Sequence, residues 1–534
     1  MDESKVDWRE WGPGTFETAA RAGKPVLLAL VAPWSAECRE MDATTYADPR
    51  IAANIADGFV AVRVDADRNP RVRERYNMGG FPSTVFLTPE GRVLTGATYL
   101  GVEGFRGILD GVRRTWGDKG ERAGSVPRAL RNADPPGGSV DAGVEEHMVE
   151  QLLAAYDEEF GGWGTDVKFP LPRTVEFALV RARDQATRTL EAIRTHLLDT
   201  YDGGFYRYAR NRNWRGAVRE KLTDENAALV RAFAHGYRYT GEETYREAAE
   251  STVEYLTTDL WTGEAFAASQ GGDEDYYTLG PTAREDADPP PVDDTPFADR
   301  NGLAVDALLA FAAYTDDERA LRYAERAQEY LVDALVTDGR VAHYDAPEAP
   351  AGLLVDQARV LGALTAAWQV RGDPGPARAV ADWTVEYLRD DSGAFLDGPT
   401  GGAGLLERPL YPLDTSVEMA EALLDLAALT GEDRYRGLAR EAVAAFGDAA
   451  NRMGVEVAGY ASAAARVLDP RAIEVGMPAG TDLHRAALRL ADHETVVVPD
   501  ADGPGGQARV VADGTVTGTA DSPATLEALV TDAE

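Results

Sequence analysis

Five consecutive residues, Trp34-Ser35-Ala36-Glu37-Cys38, have the spacing of a dithiol exchange motif with serine in place of the first cysteine. Disulfide exchange needs one thiolate to attack and a second thiol to resolve the mixed disulfide. A serine hydroxyl ionises far too weakly for the first task. Cys38 is the single cysteine among 534 residues, so a dithiol oxidoreductase is excluded on stoichiometry. Chemistry with one thiol, peroxidatic or glutathione-capped, is the alternative the residue type permits. Activated cysteines sit at helix starts, whereas Cys38 falls a turn inside the helix that should follow. It is expected to be a small, buried, apolar side chain.

A second group of residues could act on a sugar. Glycoside hydrolysis needs two carboxyl groups about 5–10 Å apart across the bond that breaks. The candidate acids are Glu220, Asp224, Asp273 and Asp356, and Trp163, Tyr206, Tyr208 and Trp214 offer stacking faces. The catalytic assignment falls on Glu220 with Asp273 or Asp356, and the ligand-binding assignment on Trp163, Tyr206, Tyr208, Lys221, Asn226 and Asn301. Each has a structural alternative. Glu220 and Asp224 could share a helix face, but in a chain with 90 acidic residues such a pair is ordinary. Glu220-Lys221 could be a buried ion pair, and Asn226, Asn301 and Asp356 could tie helix ends together. A pair of histidines could serve an epimerisation as acid and base. Of the six present only His343, in Val341-Ala342-His343-Tyr344-Asp345, is placed for a site mouth, so an epimerase is not expected. No His/Cys cluster or carboxylate spacing of a known metal site occurs, and neither metal nor cofactor is expected.

These residues need a scaffold to hold them. Val26–Val31, Phe59–Val64 and Gly80–Leu87 are apolar runs of buried-strand length. Pro82 is placed to be cis and to flank Ser35 and Cys38. Pro89-Glu90-Gly91-Arg92 turns into Val93-Leu94 as a hairpin, and Gly104–Trp116 reads as a closing amphipathic helix. This outlines an α/β domain over 1–117, followed by a Gly/Pro-rich linker at 118–140. From 141 to 450 the chain is almost wholly helical and repeats. Tyr239-Thr240-Gly241-Glu242, Tyr314-Thr315-Asp316-Asp317, Val370-Arg371-Gly372-Asp373 and Leu429-Thr430-Gly431-Glu432 each end one apolar helix and start another. Gly-aromatic turns at Gly161-Gly162-Trp163, Gly203-Gly204-Phe205 and Gly393-Ala394-Phe395 separate the pairs. Helix pairs with long decorated turns point to an (α/α) toroid, with a linear solenoid as the alternative. Residues 451–534 read as a small α/β appendage, without a phosphate-binding loop between strand and helix.

The ordered series Cys38-x-x-Met41, Phe81-Pro82-Ser83-Thr84, Gly161-Gly162-Trp163-Gly164, Lys168-Phe169-Pro170, Gly203-Gly204-Phe205-Tyr206, Glu220-Lys221, Asn226-Ala227, Asn301-Gly302 and Asp356 resembles a two-domain family. Its members pair a thioredoxin-like domain with a six-hairpin-glycosidase-like toroid. They include the spermatogenesis-associated thioredoxin-domain proteins and uncharacterised prokaryotic relatives. The resemblance covers nearly the whole chain and implies a carbohydrate-type ligand in the toroid. The departures concern reactive groups. The family's Cys-His-Trp-Cys-His-x-Met is Ser35-Ala36-Glu37-Cys38-Arg39-Glu40-Met41 here, its Pro-His-Phe-Glu-Lys-Met lacks the histidine at Ala217–Leu222, and Arg300 replaces a tryptophan.

The chain carries 90 acidic against 54 basic residues, a net charge of −36, spread over its length and not gathered into a tail. That pattern suits a protein of a salt-accumulating cell, where screening removes self-repulsion. It argues against nucleic acid and anionic membrane as partners. The acidic start Met1-Asp2-Glu3-Ser4 has no signal-peptide pattern, so a cytoplasmic location is expected. Two functional classes follow. One is a binding or regulatory protein, whose redox-inactive domain docks a protein partner while the toroid holds a carbohydrate-like ligand. The other is a carbohydrate-active enzyme.

Overall fold

The computed structural model describes residues 4–131, 134–503 and 505–531. Val26–Val31 (β1) is buried along its whole length, because six consecutive apolar residues leave no polar face for water. It pairs in parallel with Val60–Asp65 (β2) and antiparallel with Ser83–Leu87 (β3), which continues into Val93–Ala97 (β4), giving the order β2-β1-β3-β4. Pro13–Ala22 (α1), Ala36–Ala43 (α2), Pro49–Gly58 (α3), Pro70–Tyr76 (α4) and Val102–Lys119 (α5) complete the expected thioredoxin-like domain. The Phe81–Pro82 bond is cis. Beyond α5 the segment 118–140 first stays with this domain: Ser125 exchanges both backbone hydrogen bonds with Val93, and Leu130 joins the domain core.

The helical region closes into a ring. Its inner helices are Pro172–Arg181 (α7), Thr223–Thr240 (α9), Ala298–Thr315 (α11), Leu354–Arg371 (α13), Leu413–Thr430 (α15) and Gly459–Leu468 (α17). Each packs on the next, and α17 packs back on α7. The outer layer is Gly143–Ala154 (α6), Arg183–Leu197 (α8), Glu243–Thr258 (α10), Glu318–Tyr330 (α12), Ala377–Leu388 (α14) and Asp433–Ala444 (α16), each packed mainly on one inner helix. The result is a six-hairpin toroid, not a linear solenoid, and its sixth inner helix lies past residue 450. The repeated Thr-Gly-Glu units are the C-caps of inner helices. Gly241, Gly372 and Gly431 take left-handed φ of 69°, 73° and 69°, and Asp316 does the same at 58°.

The C-terminal region repeats the N-terminal topology. Arg471–Val475 (β5) pairs in parallel with Val496–Val498 (β6) across Asp482–Leu490 (α18), and antiparallel with Ala508–Ala512 (β7). Thr515–Ala520 (β8) extends the sheet to the order β6-β5-β7-β8, and Pro523–Thr531 (α19) closes it. The toroid therefore carries a βαβ-ββα unit at each end. The N-terminal one meets the starts of the inner helices, and the C-terminal one meets their ends through Arg489–Asp316, Tyr239–His493 and His484–Gln369. No described helix is long and apolar enough to cross a membrane.

Candidate functional site

The degenerate motif faces the toroid. Ser35 is 2% exposed, and its hydroxyl caps α2 by accepting from the Cys38 amide at 3.3 Å. Trp34 donates Nε1–H to Asp67 Oδ2 at 2.9 Å, and the other Asp67 oxygen meets Arg300 of α11 at 2.8 Å. The Arg207 guanidinium lies 4.4 Å over the Trp34 ring, Arg39 donates to the Gly272 carbonyl at 2.5 Å, and the Glu220 carboxylate accepts from the Ala36 amide. Farther along, Arg71 and Arg75 of α4 both bind Asp397, and the Tyr76 hydroxyl accepts from the Leu405 amide at 2.9 Å. The surface that would receive a redox partner is thus an intramolecular interface. Cys38 is buried, and that burial pushes its thiol up to about 11.

The aromatic and acidic residues chosen from the sequence do not share one opening. Trp163 is buried against Tyr156 and donates to the Leu152 carbonyl at 3.0 Å. Tyr208 stacks on Phe169 with ring centres 4.7 Å apart. Tyr206 lies beside Tyr277 around Lys221, whose ammonium is held by Asp199 at 2.9 Å and the Gly203 carbonyl at 2.7 Å. Lys168 and Asp157 form the same 2.9 Å pair one hairpin earlier, so these motifs are one turn-fastening device used twice. Glu220 and Lys221 do not pair with each other, because neighbours in extended chain point to opposite sides; Glu220 pairs with Arg207 at 3.2 Å. Nor do Glu220 and Asp224 share a helix face, since α9 begins only at Thr223. Asp273 is an exposed N-cap, accepting from the Tyr276 amide at 3.0 Å. Asn226 and Asn301, each the fourth residue of an inner helix, bracket Phe205 and Phe266 through both backbone groups. They are helix-to-turn ties.

The ring instead encloses a 290 Å³ cavity at the starts of its inner helices, bordered by Arg173, Asp224, Glu225, Arg231, Arg359, Asp414, Glu418 and Tyr460. Several of these are already paired: Arg173 with Glu421 at 2.5 Å, Arg231 with Glu176 at 2.8 Å and Arg359 with Glu418 at 2.9 Å. Asp224 Oδ1 and Glu225 Oε2 are buried without a hydrogen-bond partner among the described residues. Glu225 lies deep in the ring while its side chain, 36% exposed, borders the cavity. Burial pushes its carboxyl up to about 7, against the opposing pull of Arg207. Asp414 is raised too, by burial and then by Glu418. A protonated carboxyl beside ionised ones and fixed guanidinia can donate and accept hydrogen bonds at neutral pH.

Residues 1–132 match the family described as Thioredox_DsbH, protein of unknown function, DUF255. The chain is 28% identical over 326 residues to spermatogenesis-associated protein 20 of Homo sapiens, covering 54% of this chain and 39% of that protein. It thus spans about two fifths of the length of the curated relatives it matches first. It is also 29% identical over 102 residues to the thiol:disulfide interchange protein DsbD of Ralstonia nicotianae, 18% of this chain and 17% of that one. Among solved structures, cellobiose 2-epimerase from Spirochaeta thermophila aligns with a TM-score of 0.46 at 18% identity, covering 56% of this chain and 82% of the other. A GH76 α-mannanase from Bacteroides thetaiotaomicron aligns at 0.41 and 13%, covering 57% and 85%.

Two clusters beneath the DsbH-like domain and at the opposite end were invisible in the sequence. His343 reaches Asp356 through Nδ1 at 2.8 Å and the Asp67 carbonyl through Nε2 at 2.7 Å. Burial opposes its charge, but Asp356 and then Asp299 outweigh it and hold the imidazole up to about 9. Asp299, His343 and Asp356 each offer an atom within 4.8 Å of the others, a trio with metal-ligand chemistry that local spacing in the sequence does not display. At the far end His235 of α9 stacks on His493, ring centres 4.5 Å apart, against a 210 Å³ cavity that Glu176 and Arg231 also line. Two histidines do meet, His235 from the toroid and His493 from the C-terminal unit docked on it. They stand 258 positions apart, so only the docked fold reveals them.

Proposed function

We propose that the protein binds a small polyhydroxylated, carbohydrate-type ligand in the cavity at the inner-helix starts, under a DsbH-like domain that serves as a fixed cover and carries no dithiol chemistry. The observation that supports this is the pair of buried, unpartnered oxygens, Asp224 Oδ1 and Glu225 Oε2, bordering a 290 Å³ space with Arg173, Arg231 and Arg359. Buried polar atoms are ordinarily satisfied, so orphaned ones at a cavity wall call for a ligand's hydroxyls. The volume falls near the lower end of small-molecule pockets, about 300–1,000 Å³, which suits a monosaccharide-sized molecule. The net charge of −36 extends the reading to a salt-rich cytoplasm. A thermal-shift panel of sugars and polyols in molar KCl tests it. A rise in midpoint that Asp224→Asn and Glu225→Gln abolish is expected. No shift from any sugar, or a shift both variants keep, rejects it.

A second reading, a carbohydrate-active enzyme, is favoured by one observation: the Glu225 carboxyl, held up to about 7, suits a general acid at neutral pH. Asp224 or Asp414 would then serve as the second carboxyl. Turnover of a bound sugar followed by NMR, and its loss in Glu225→Gln with binding retained, separates this reading from binding alone.

A further inference from the structure

We propose that Asp299, His343 and Asp356 form a binding site for a divalent transition-metal ion at the junction of the toroid and the DsbH-like domain. Asp299 is the second residue of α11, Asp356 the third of α13, and His343 lies in the turn that precedes α13. Three separate elements thus aim one nitrogen and two carboxylates at a single point, with their ligand atoms within 4.8 Å of one another. All three are buried, at 8%, 1% and 0% exposed.

Two independent features indicate a cation there. Asp299 Oδ1 and Asp356 Oδ2 are buried without a hydrogen-bond partner among the described residues, and a desolvated carboxylate oxygen left in that state is costly. The imidazole is also oriented as metal-ligating histidines are. Its Nε2–H donates to the Asp67 carbonyl at 2.7 Å, which turns Nδ1 toward the carboxylates, 2.8 Å from Asp356 Oδ1. Arg359 steadies the remaining oxygen of Asp299 at 3.2 Å, the outer contact such a ligand needs. Nearby cations do not cancel the charge: Arg300 is committed to Asp67 at 2.8 Å, and Arg359 is shared with Glu418 at 2.9 Å. A proton between Nδ1 and Asp356 Oδ1 is the competing occupant. It leaves both orphaned oxygens unexplained, whereas a dication satisfies them together.

One imidazole with two carboxylates and no thiolate is the donor set of Zn²⁺, Mn²⁺ or Fe²⁺, while Mg²⁺ and Ca²⁺ prefer oxygen alone. Binding displaces the shared proton, so affinity rises with pH. Because His343 also holds Asp67, the ion stiffens the joint between cover and ring.

The full-length protein, stripped with EDTA in molar KCl, is to be titrated with Mn²⁺, Zn²⁺ and Co²⁺, and bound metal counted after desalting. One equivalent should be retained by the wild type, with affinity for that ion falling about 100-fold or more in His343→Gln and Asp356→Asn, beyond the 10–100-fold typical of losing an outer contact. Retention of no ion, or equal retention by both variants, overturns the site and leaves surface carboxylates as the only binders. Should the variants fail to fold, Mn²⁺ bound to the wild type provides a second measurement. Coupling of its electron spin to a single imidazole nitrogen is expected, and its absence overturns the proposal.

Discussion

Cys38 accepts the Ala32 amide at 3.5 Å, and burial holds its thiol near 11. At pH 7.5 the thiolate fraction is then on the order of 10⁻³ or less. Reaction with a soluble disulfide reagent should be slow in the native state and complete only in denaturant, and insulin reduction should stay at background. Rapid native labelling, or turnover that Cys38→Ser removes, would contradict this. Lys221 makes a different kind of case. Its ammonium and the Arg284 guanidinium share Asp199, at 2.9 and 2.8 Å, inside a nest of tyrosines. Asp199→Asn strips the buried Lys221 ammonium of its carboxylate and leaves Arg284 with Asp202 at 2.7 Å, and should cost about 3–5 kcal/mol, measured by urea unfolding; Lys221→Met keeps Asp199 paired with Arg284 and should cost less. Glu225 carries a pH signature. Its carboxyl sits near 7 when folded against about 4.5 when unfolded. Between those values the folded chain binds the extra proton, so stability is present below 4.5 and is lost as pH rises through 7. Allowing for cavity water beside a group 36% exposed, the loss is on the order of 1–2 kcal/mol. Unfolding at pH 5 and pH 7.5 should show it as a difference between the wild type and Glu225→Gln; a variant with the same pH slope would remove the argument.

The fourth residue of three successive inner helices, α9, α11 and α13, joins its helix to a neighbouring turn. Asn226 brackets Phe205, Asn301 brackets Phe266, and Gln357 accepts from the Val341 amide at 2.6 Å while donating to Thr384 at 2.7 Å. Ser416 occupies the same place in α15, and its hydroxyl has no partner among the described residues. Asn301→Ala should therefore cost about 1–3 kcal/mol for each backbone group it orphans, and Ser416→Ala close to nothing. Equal losses in thermal unfolding would show that the ties are not what holds the turns. This device explains what could be read in the sequence. Helix periodicity, the Thr-Gly-Glu caps and the Gly-aromatic turns are local signals, and they announced the toroid and the βαβ units well. Trp163, Tyr206 and Asn301 stood out in the same way, but as fasteners of those turns. The cavity acids Asp224, Glu225 and Asp414, and the trio Asp299, His343 and Asp356, meet only when the ring closes, and no short-range pattern marks them in a chain so rich in carboxylates.

Both ends of the toroid are closed by βαβ-ββα units, and the N-terminal closure depends on buried charge. Asp67 alone ties Trp34 of the cover to Arg300 of the ring. Asp397 on the ring side takes both Arg71 and Arg75. Such pairs cost about 3–5 kcal/mol when one member is removed, so cover and ring should unfold as one unit. Asp67→Ala, which leaves Arg300 buried and unpaired, should separate the transitions. A surplus of 36 acidic charges acts on the same assembly from outside. At molar salt the Debye length is about 3 Å and these charges barely sense one another; at 0.1 M it is about 10 Å, and repulsion reaches across neighbouring surface groups. The interior pairs are shielded from that change, so lowering the salt should pull the surfaces apart without first opening the joint. The expected result in calorimetry, from molar KCl down to 0.1 M, is a single transition whose midpoint falls throughout. An unchanged midpoint would defeat the salt-adapted reading, while a wild-type transition that splits in two at low salt would show that the charged joint is weaker than its buried geometry requires.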